Sequence, residues 1–287
     1  MKIAVTGSTG TLGSQVVGLL AASAGHDVVA LARRPDAVAA GLDARVRGAV
    51  SAVYADYDDL ASLRVGLVGV DVLVFVSGDG EAARMLVQHG NVVRAAVDAG
   101  VGHVVYLSGV DADLASPFCY AFTNGWTEGL IERSGVPFSF ARASLFTEFF
   151  AAFLRPALVS GELRVPAGGG RVSLVSRADV GRCLAALALL PPSGGHHDLT
   201  GPRALSLEAV AGELARVAGR VVRYTDVAPG VLVEDLARAG EDPWWTYAYG
   251  SMFASVRQGR WSGVSDEVVR LTGRVPLGVA DVVGAVA

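Results

Sequence analysis

The first turn of this chain constrains its fold more than any other stretch. Residues 2–6 read KIAVT, a short apolar run rich in β-branched side chains. Gly7, Gly10 and Gly13 follow at once, and a helical pattern then runs from Ser14 to Ala24. Gly7 permits a tight turn out of a strand. At Gly10 the missing side chain lets the backbone approach a pyrophosphate, and Gly13 lets the helix pack close to the sheet. The helix N-terminus adds free N–H groups and the positive end of its dipole. Strand, glycine turn and helix in this order predict a dinucleotide site. The alternative, a flexible loop, is disfavoured by its place straight after a buried-type strand.

The rest of the chain extends that unit. Apolar runs at 28–32, 53–58, 70–77, 103–108 and 136–142 read as further strands. Helical patterns at 81–99 and 124–134 lie between the later ones, with a looser stretch at 37–50. Strands alternating with helices predict a doubly wound parallel α/β sheet with right-handed crossovers. After Arg142 the rhythm changes, and the expectation is a smaller C-terminal α/β subdomain that covers the substrate. The predicted division is a cofactor-binding core over 1–144, with 171–200 returning to it, and a mainly substrate-binding part over 145–287.

The second strand ends in Arg33 and Arg34, where a carboxylate would accept the adenosine 2′-hydroxyl. Arginine there suits a 2′-phosphate, so NADP(H) is expected over NAD(H). Asp56 stands where a carboxylate can meet the adenine amino group or simply cap a helix. Ser77 and Gly78, at the end of the fourth strand, are expected against the cofactor near the topological switch point.

Composition removes several functions. Net charge is −4 without a basic run, which argues against nucleic acid as a partner. No apolar stretch approaches the roughly 18 residues of a membrane span. The first strand starts at residue 2 with no signal peptide ahead of it, and Cys119 and Cys183 read as buried thiols; the expected location is the cytoplasm. Lys2 is the only lysine, which excludes a catalytic lysine elsewhere. His196 and His197 are adjacent in a strand and point to opposite faces, so no metal site is expected.

Aromatic residues gather in the C-terminal part. Phe146, Phe149, Phe150 and Phe153 fall on a helical pattern over 145–159, and Trp244, Trp245, Tyr247 and Tyr249 form a second cluster. Either group reads as core packing or as a wall for a flat substrate. Phe146, Phe149, Trp244 and Trp245 are the candidate substrate contacts. The expected partner is a small hydrophobic or aromatic molecule; oligomeric state stays open, a homodimer included.

With these residues in view, the whole chain resembles the NmrA-like group of atypical short-chain dehydrogenase/reductases, in particular its quinone oxidoreductase and triphenylmethane reductase branch. TGSTGTLG at 6–13, ALARRP at 30–35, ADYDD at 55–59, HGNVVRAAVDAGVGHVVYLSG at 89–109, TEGLIERSGVPFSFAR at 127–142, SRADVGRCLAALA at 176–188 and VVRLTGRVP at 268–276 carry the likeness. It implies an extended Rossmann fold, NADP(H), and hydride transfer to a quinone-like or conjugated acceptor. Gly7, Thr9, Gly10, Thr11, Leu12 and Gly13 match the phosphate loop, Arg33 the arginine that favours NADP, and Ser77 and Ser108 the strand ends lining the nicotinamide. Tyr120 and Asn124 sit at the spacing of the Tyr-x-x-x-Lys pair, with Ser108 upstream; these three are the candidate catalytic residues. Asn124 replaces the lysine, and Gly129 stands where the branch has another, just after Glu128. Asparagine can hydrogen-bond a ribose but brings no charge to lower a phenol pKa of about 10. The reading is therefore that Tyr120 and Ser108 orient and polarise the acceptor while solvent supplies the proton. Two other functions remain open on the same fold: a non-catalytic NADP(H)-sensing regulator, and a non-redox dehydratase, cyclase or epimerase.

Overall fold

In a computed structural model, residues 1–153 and 155–284 are described. Eleven strands and twelve α-helices follow one another as β1 (Lys2–Val5), α1 (Thr11–Ala22), β2 (Asp27–Ala32), β3 (Val50–Tyr54), α2 (Leu60–Gly66), β4 (Val72–Phe75), α3 (Ala82–Asp98), β5 (His103–Gly109), α4 (Cys119–Ser134), β6 (Phe138–Ala143), α5 (Thr147–Phe153), α6 (Arg155–Ser160), β7 (Glu162–Val165), β8 (Arg171–Val172), α7 (Arg177–Leu189), β9 (His196–Leu199), β10 (Leu205–Ser206), α8 (Leu207–Ala218), β11 (Arg223–Asp226), α9 (Pro229–Arg238), α10 (Pro243–Arg257), α11 (Glu267–Thr272) and α12 (Val279–Gly284).

Seven strands form one sheet in the order β3-β2-β1-β4-β5-β6-β9. The pairings β1–β2, β2–β3, β1–β4 and β4–β5 are parallel. Ile3, Ala4 and Val5 of β1 and Leu73, Val74 and Phe75 of β4 are fully buried, as expected for strands covered on both faces. The chain winds outward from β1 to β3 and then crosses back to β4. The C-terminal ends of β1 and β4 therefore define the switch point at which such sheets bind ligands.

The chain divides into two compact units. The first comprises Met1–Ser108, Gly125–Ala141 and Val180–His197; the second comprises Gly109–Asn124, Arg142–Asp179 and Asp198–Ala287. Residues 109–124, 142–144, 171–179 and 198–200 thus fall in the second unit, unlike the division drawn from the sequence. A buried carboxylate explains the first of these. Asp111 accepts hydrogen bonds from Ser116 Oγ (2.5 Å), from Ser255 Oγ and from Arg260 Nη1 (3.1 Å), which ties residues 109–124 to the far end of the chain.

Each unit has its own core. Leu63, Leu73, Phe75, Tyr106, Ile131 and Phe140 lie in that of the first. Phe150, Leu163, Met252, Phe253, Val256 and Trp261 lie in that of the second, beside two small sheets, β10–β8 and β11–β7.

Several boundaries moved from those expected. β3 lies over 50–54, not 53–58, and the looser stretch before it holds three single 3-10 turns. α4 begins at Cys119, five residues early, because Ser116 Oγ accepts from Phe118 N (3.1 Å) and caps the turn that leads into it. β7 was not foreseen; it pairs with β11, about 60 residues away, and local pattern carries no trace of that partner. The helical pattern over 145–159 resolves into α5 and α6. Residue 154 and the side chain of Phe153 lie outside the described residues, as do 285–287, the end of the last predicted helix.

Candidate functional site

In the first unit the loop after β1 is built almost wholly from backbone. Gly10 N donates to Gly7 O (2.9 Å), closing the turn, and Gly7 adopts φ +62°. A Cβ on Gly7 would lie 2.9 Å from Val76 O, and one on Gly13 would lie 2.1 Å from Gly7 O. The close approach to the sheet therefore belongs to Gly7, while Gly13 clears the loop's own backbone; the expected role of Gly13 is corrected accordingly. At Gly10 only Gly7 O comes within 4 Å of an added Cβ, at 3.3 Å, so the space above Gly10 is open.

Gly10 is the N-cap of α1, which has no side-chain cap and no acidic residue in its first turn. Thr9, Gly10 and Thr11 are exposed, whereas the Leu12 side chain is buried, so Leu12 can offer a ligand only its backbone. An uncapped helix start beneath an open glycine suits a phosphate. Arg33 and Arg34, both exposed just past β2, add positive charge. The residues present fit NADP(H).

Three side chains that the sequence reading passed over hold this loop. Thr6 Oγ1 accepts from Val76 N (3.0 Å) and donates to Val76 O (3.1 Å), which ends β4 at Phe75 and leaves Ser77 half-buried and Gly78 exposed beyond it. Ser8 Oγ donates to Leu31 O (2.8 Å) and ties the loop to β2. Tyr57 Oη donates to Val76 O (2.5 Å); burial pushes this phenol up, against the opposing pull of Thr6 and of the Arg33 charge. Their signal in the sequence was position alone, a hydroxyl at or just after a strand end. Asp59, not Asp56, caps α2 by accepting from Ala61 N (3.0 Å) and Ser62 N (3.2 Å). Asp56 accepts from Asp58 N (3.0 Å) in the turn before it.

At the end of β5, Ser108 Oγ donates to Glu128 Oε1 at 2.5 Å, with both residues buried. Glu128, Asn124 and Tyr120 recur at four-residue steps on α4 and so share a face. Asn124 lies against the residue after Ser108: a Cβ on Gly109 would meet its Nδ2 at 3.1 Å. Next to Glu128, Thr127 Oγ1 bonds His89 Nδ1 (2.7 Å) and the Tyr106 phenol. His89 sits edge-on to Phe75, and burial lowers its pKa to about 4.

The second unit carries the aromatic array. Asp242 caps α10 by accepting from Trp244 N (2.8 Å), and Pro243 opens the helix, so the WWTYAY run is helical. Trp245 and Tyr249, one turn apart, stack with centroids at 5.8 Å, and Phe149 of α5 lies 6.0 Å from Tyr249. The Tyr120 ring meets Trp244 edge-on at 6.4 Å and Trp245 at the same distance. All five rings are half-buried, and Tyr120, Phe149, Trp244 and Trp245 rest on the core of this unit. Phe150 is entirely core, and Phe146 is covered by the Arg177 guanidinium, 5.5 Å from its centroid. Burial, with Glu241 and Tyr120 nearby, pushes the Tyr249 phenol up.

Among the described residues no group of His, Cys, Asp and Glu could hold a metal, and no helix is long and apolar enough to cross a membrane. His197 Nε2 bonds Ser193 Oγ (3.1 Å).

A parallel sheet of this strand order with a glycine turn at its switch point defines a dinucleotide-binding α/β protein. A profile of the NmrA-like family matches residues 1–243, and the chain belongs to that family. It is 32% identical over 243 residues to quinone oxidoreductase 2 of Escherichia coli, covering 83% of this chain and 82% of that one. To the NAD(P)H azoreductase of Xenophilus azovorans it is 30% identical, covering 95% and 93%. Among solved structures, an Escherichia coli NADPH-dependent quinone oxidoreductase with NADPH superposes with a TM-score of 0.91 at 28% identity over 99% of both chains. The triphenylmethane reductase of Citrobacter sp. with NADP(H) gives 0.88 at 28% identity, over 99% of this chain and all of that one.

Proposed function

We propose that this protein reduces flat, conjugated acceptors, quinones first among them, at the expense of NADPH. It is an NAD(P)H-dependent oxidoreductase whose relatives include quinone, azo-dye and triphenylmethane reductases. The observation that supports the acceptor class is the half-buried array of Tyr120, Phe149, Trp244, Trp245 and Tyr249, a cluster of aromatic surface of the kind on which a planar molecule stacks. Bound NADPH supplies the hydride. The glycine loop and the start of α1 take its pyrophosphate, and Arg33 takes its 2′-phosphate. Tyr120 donates a hydrogen bond to the acceptor oxygen and stabilises the charge that develops there. With no lysine beside Tyr120, the final proton comes from solvent.

The test is NADPH oxidation against benzoquinones, naphthoquinones, azo dyes and triphenylmethane dyes, with saturated ketones as controls. Turnover of quinones but not of saturated ketones is expected. NADPH binding without oxidation by any of these acceptors would overturn the reading in favour of a sensor.

A further inference from the structure

The Ser108–Glu128 pair has a polarity that the role first expected of Ser108 does not share. A serine hydroxyl has one hydrogen and two lone pairs, while an ionised carboxylate only accepts. Ser108 Oγ donates to Glu128 Oε1 at 2.5 Å, within the range of strong charge-assisted bonds, and the two residues are 4% and 5% exposed. The single hydrogen of Ser108 is therefore committed. A ligand carbonyl would have to draw that hydrogen away from a buried carboxylate, giving up a short bond to a charged acceptor. The helix that carries Glu128 is fixed in register one residue earlier by Thr127, held by His89 Nδ1 at 2.7 Å and by the Tyr106 phenol. Ser108 lies at the C-terminal end of β5, beside β4, at the ligand-binding end of the sheet.

We infer that Glu128 is a positioning residue acting through Ser108: by taking the serine's proton it makes Ser108 a hydrogen-bond acceptor, which selects a ligand N–H or O–H and rejects a carbonyl. The inference rests on the NADP(H) reading above. That cofactor offers two such donors near its reactive end, the carboxamide amino group of the nicotinamide and the hydroxyls of its ribose. Donation to the acceptor's oxygen then falls to Tyr120 alone.

The test is a set of dissociation constants, read by protein fluorescence, for oxidised NADP and three analogues. The 3-acetylpyridine analogue replaces the amino group by methyl, the thionicotinamide analogue keeps it, and the third lacks the 2′-hydroxyl of the nicotinamide ribose. The wild-type protein should bind one donor-lacking analogue about tenfold more weakly than NADP, the loss of one hydrogen bond, and the thionicotinamide analogue normally. Which analogue suffers identifies the amide or the hydroxyl as the donor. Ser108→Ala should bring that ratio to about one. Glu128→Gln should preserve it, because the glutamine carbonyl accepts the same proton. Glu128→Met should collapse it by freeing the serine hydrogen. If Glu128→Met instead weakens every ligand equally and leaves the ratio intact, Glu128 has a structural role only and the inference is overturned. Equal wild-type affinity for all four ligands would also overturn it, without requiring any variant to fold. Absence of NADP binding altogether would overturn the functional reading, and this inference with it.

Discussion

Each unit is held together internally in its own way. In the first, the elements that make the candidate cofactor loop are neighbours in the sheet, and its contacts are hydroxyls on backbone: Thr6 on Val76, Ser8 on Leu31, Tyr57 on Val76. In the second, three separate segments meet around buried polar groups whose partners lie far apart in sequence. Asp111 reaches Ser255 and Arg260 across 144 and 149 positions. Asp179 accepts from Ser176 Oγ (2.6 Å) and, 98 positions away, from Leu277 N (2.9 Å). A unit closed by such long loops depends on the few groups that close them, whereas a wound sheet spreads its stability over many apolar neighbours. Composition follows the same division: the candidate phosphate-binding loop and all five histidines lie in the first unit, and the aromatic array lies in the second.

Acid should separate the units most. Burial lowers the pKa of His89 and of His103 to about 4, from 6.5 when unfolded. Between those values the unfolded chain binds protons that the folded one does not, so stability is full above 6.5 and falls as pH drops toward 4. At pH 5 the loss is roughly 2 kcal/mol per histidine. Regional hydrogen exchange, corrected for intrinsic rate, should show the first unit opening first; equal opening of both would break the comparison.

Asp111→Ala strikes the other unit. Ser116, Ser255 and Arg260 lose their common acceptor, at a cost of about 3 kcal/mol. Denaturant unfolding should show the loss, and NADPH affinity should hold; if affinity collapses in step, the two units do not separate energetically. Tyr120→Phe asks whether the second unit contributes to chemistry as well as packing. Turnover of an active quinone should fall roughly ten- to a thousandfold, the scale of one lost donor, while the NADPH dissociation constant stays put. Wild-type turnover would make Tyr120 a packing residue.

Arg33→Ala sharpens the first unit's role. NADPH affinity should drop roughly ten- to a hundredfold with the charge-assisted bonds to the 2′-phosphate, and NADH affinity should stay the same. Calorimetric titration of both cofactors checks it. The smallest stability effects come from the glycines. Gly13→Ala forces a Cβ to within 2.1 Å of Gly7 O and should lower stability by roughly 1–3 kcal/mol along with NADPH binding. Gly10→Ala meets only one atom at 3.3 Å, so the melting temperature should barely move while NADPH affinity falls. The reverse pattern would show that the crowded glycine is the one facing the ligand.

By itself the sequence determined what depends on neighbours along the chain. Apolar runs separated by helical patterns specify a parallel sheet, and the spacing of Gly7, Gly10 and Gly13 specifies the turn. Only the tertiary structure decided which partner each side chain takes. It sent the Ser108 proton to Glu128, 20 positions on, and assigned the sheet contact to Gly7 and the loop contact to Gly13. It placed Phe150 in the core and left Phe149 half-buried against Tyr249. The pairing of β7 with β11 and the reach of Asp111 to Arg260 belong to the same class. The reason is physical: periodicity and propensity act over a turn or a strand, whereas a hydrogen bond or a Cβ contact depends on an ångström-scale distance that exists only once distant segments have packed.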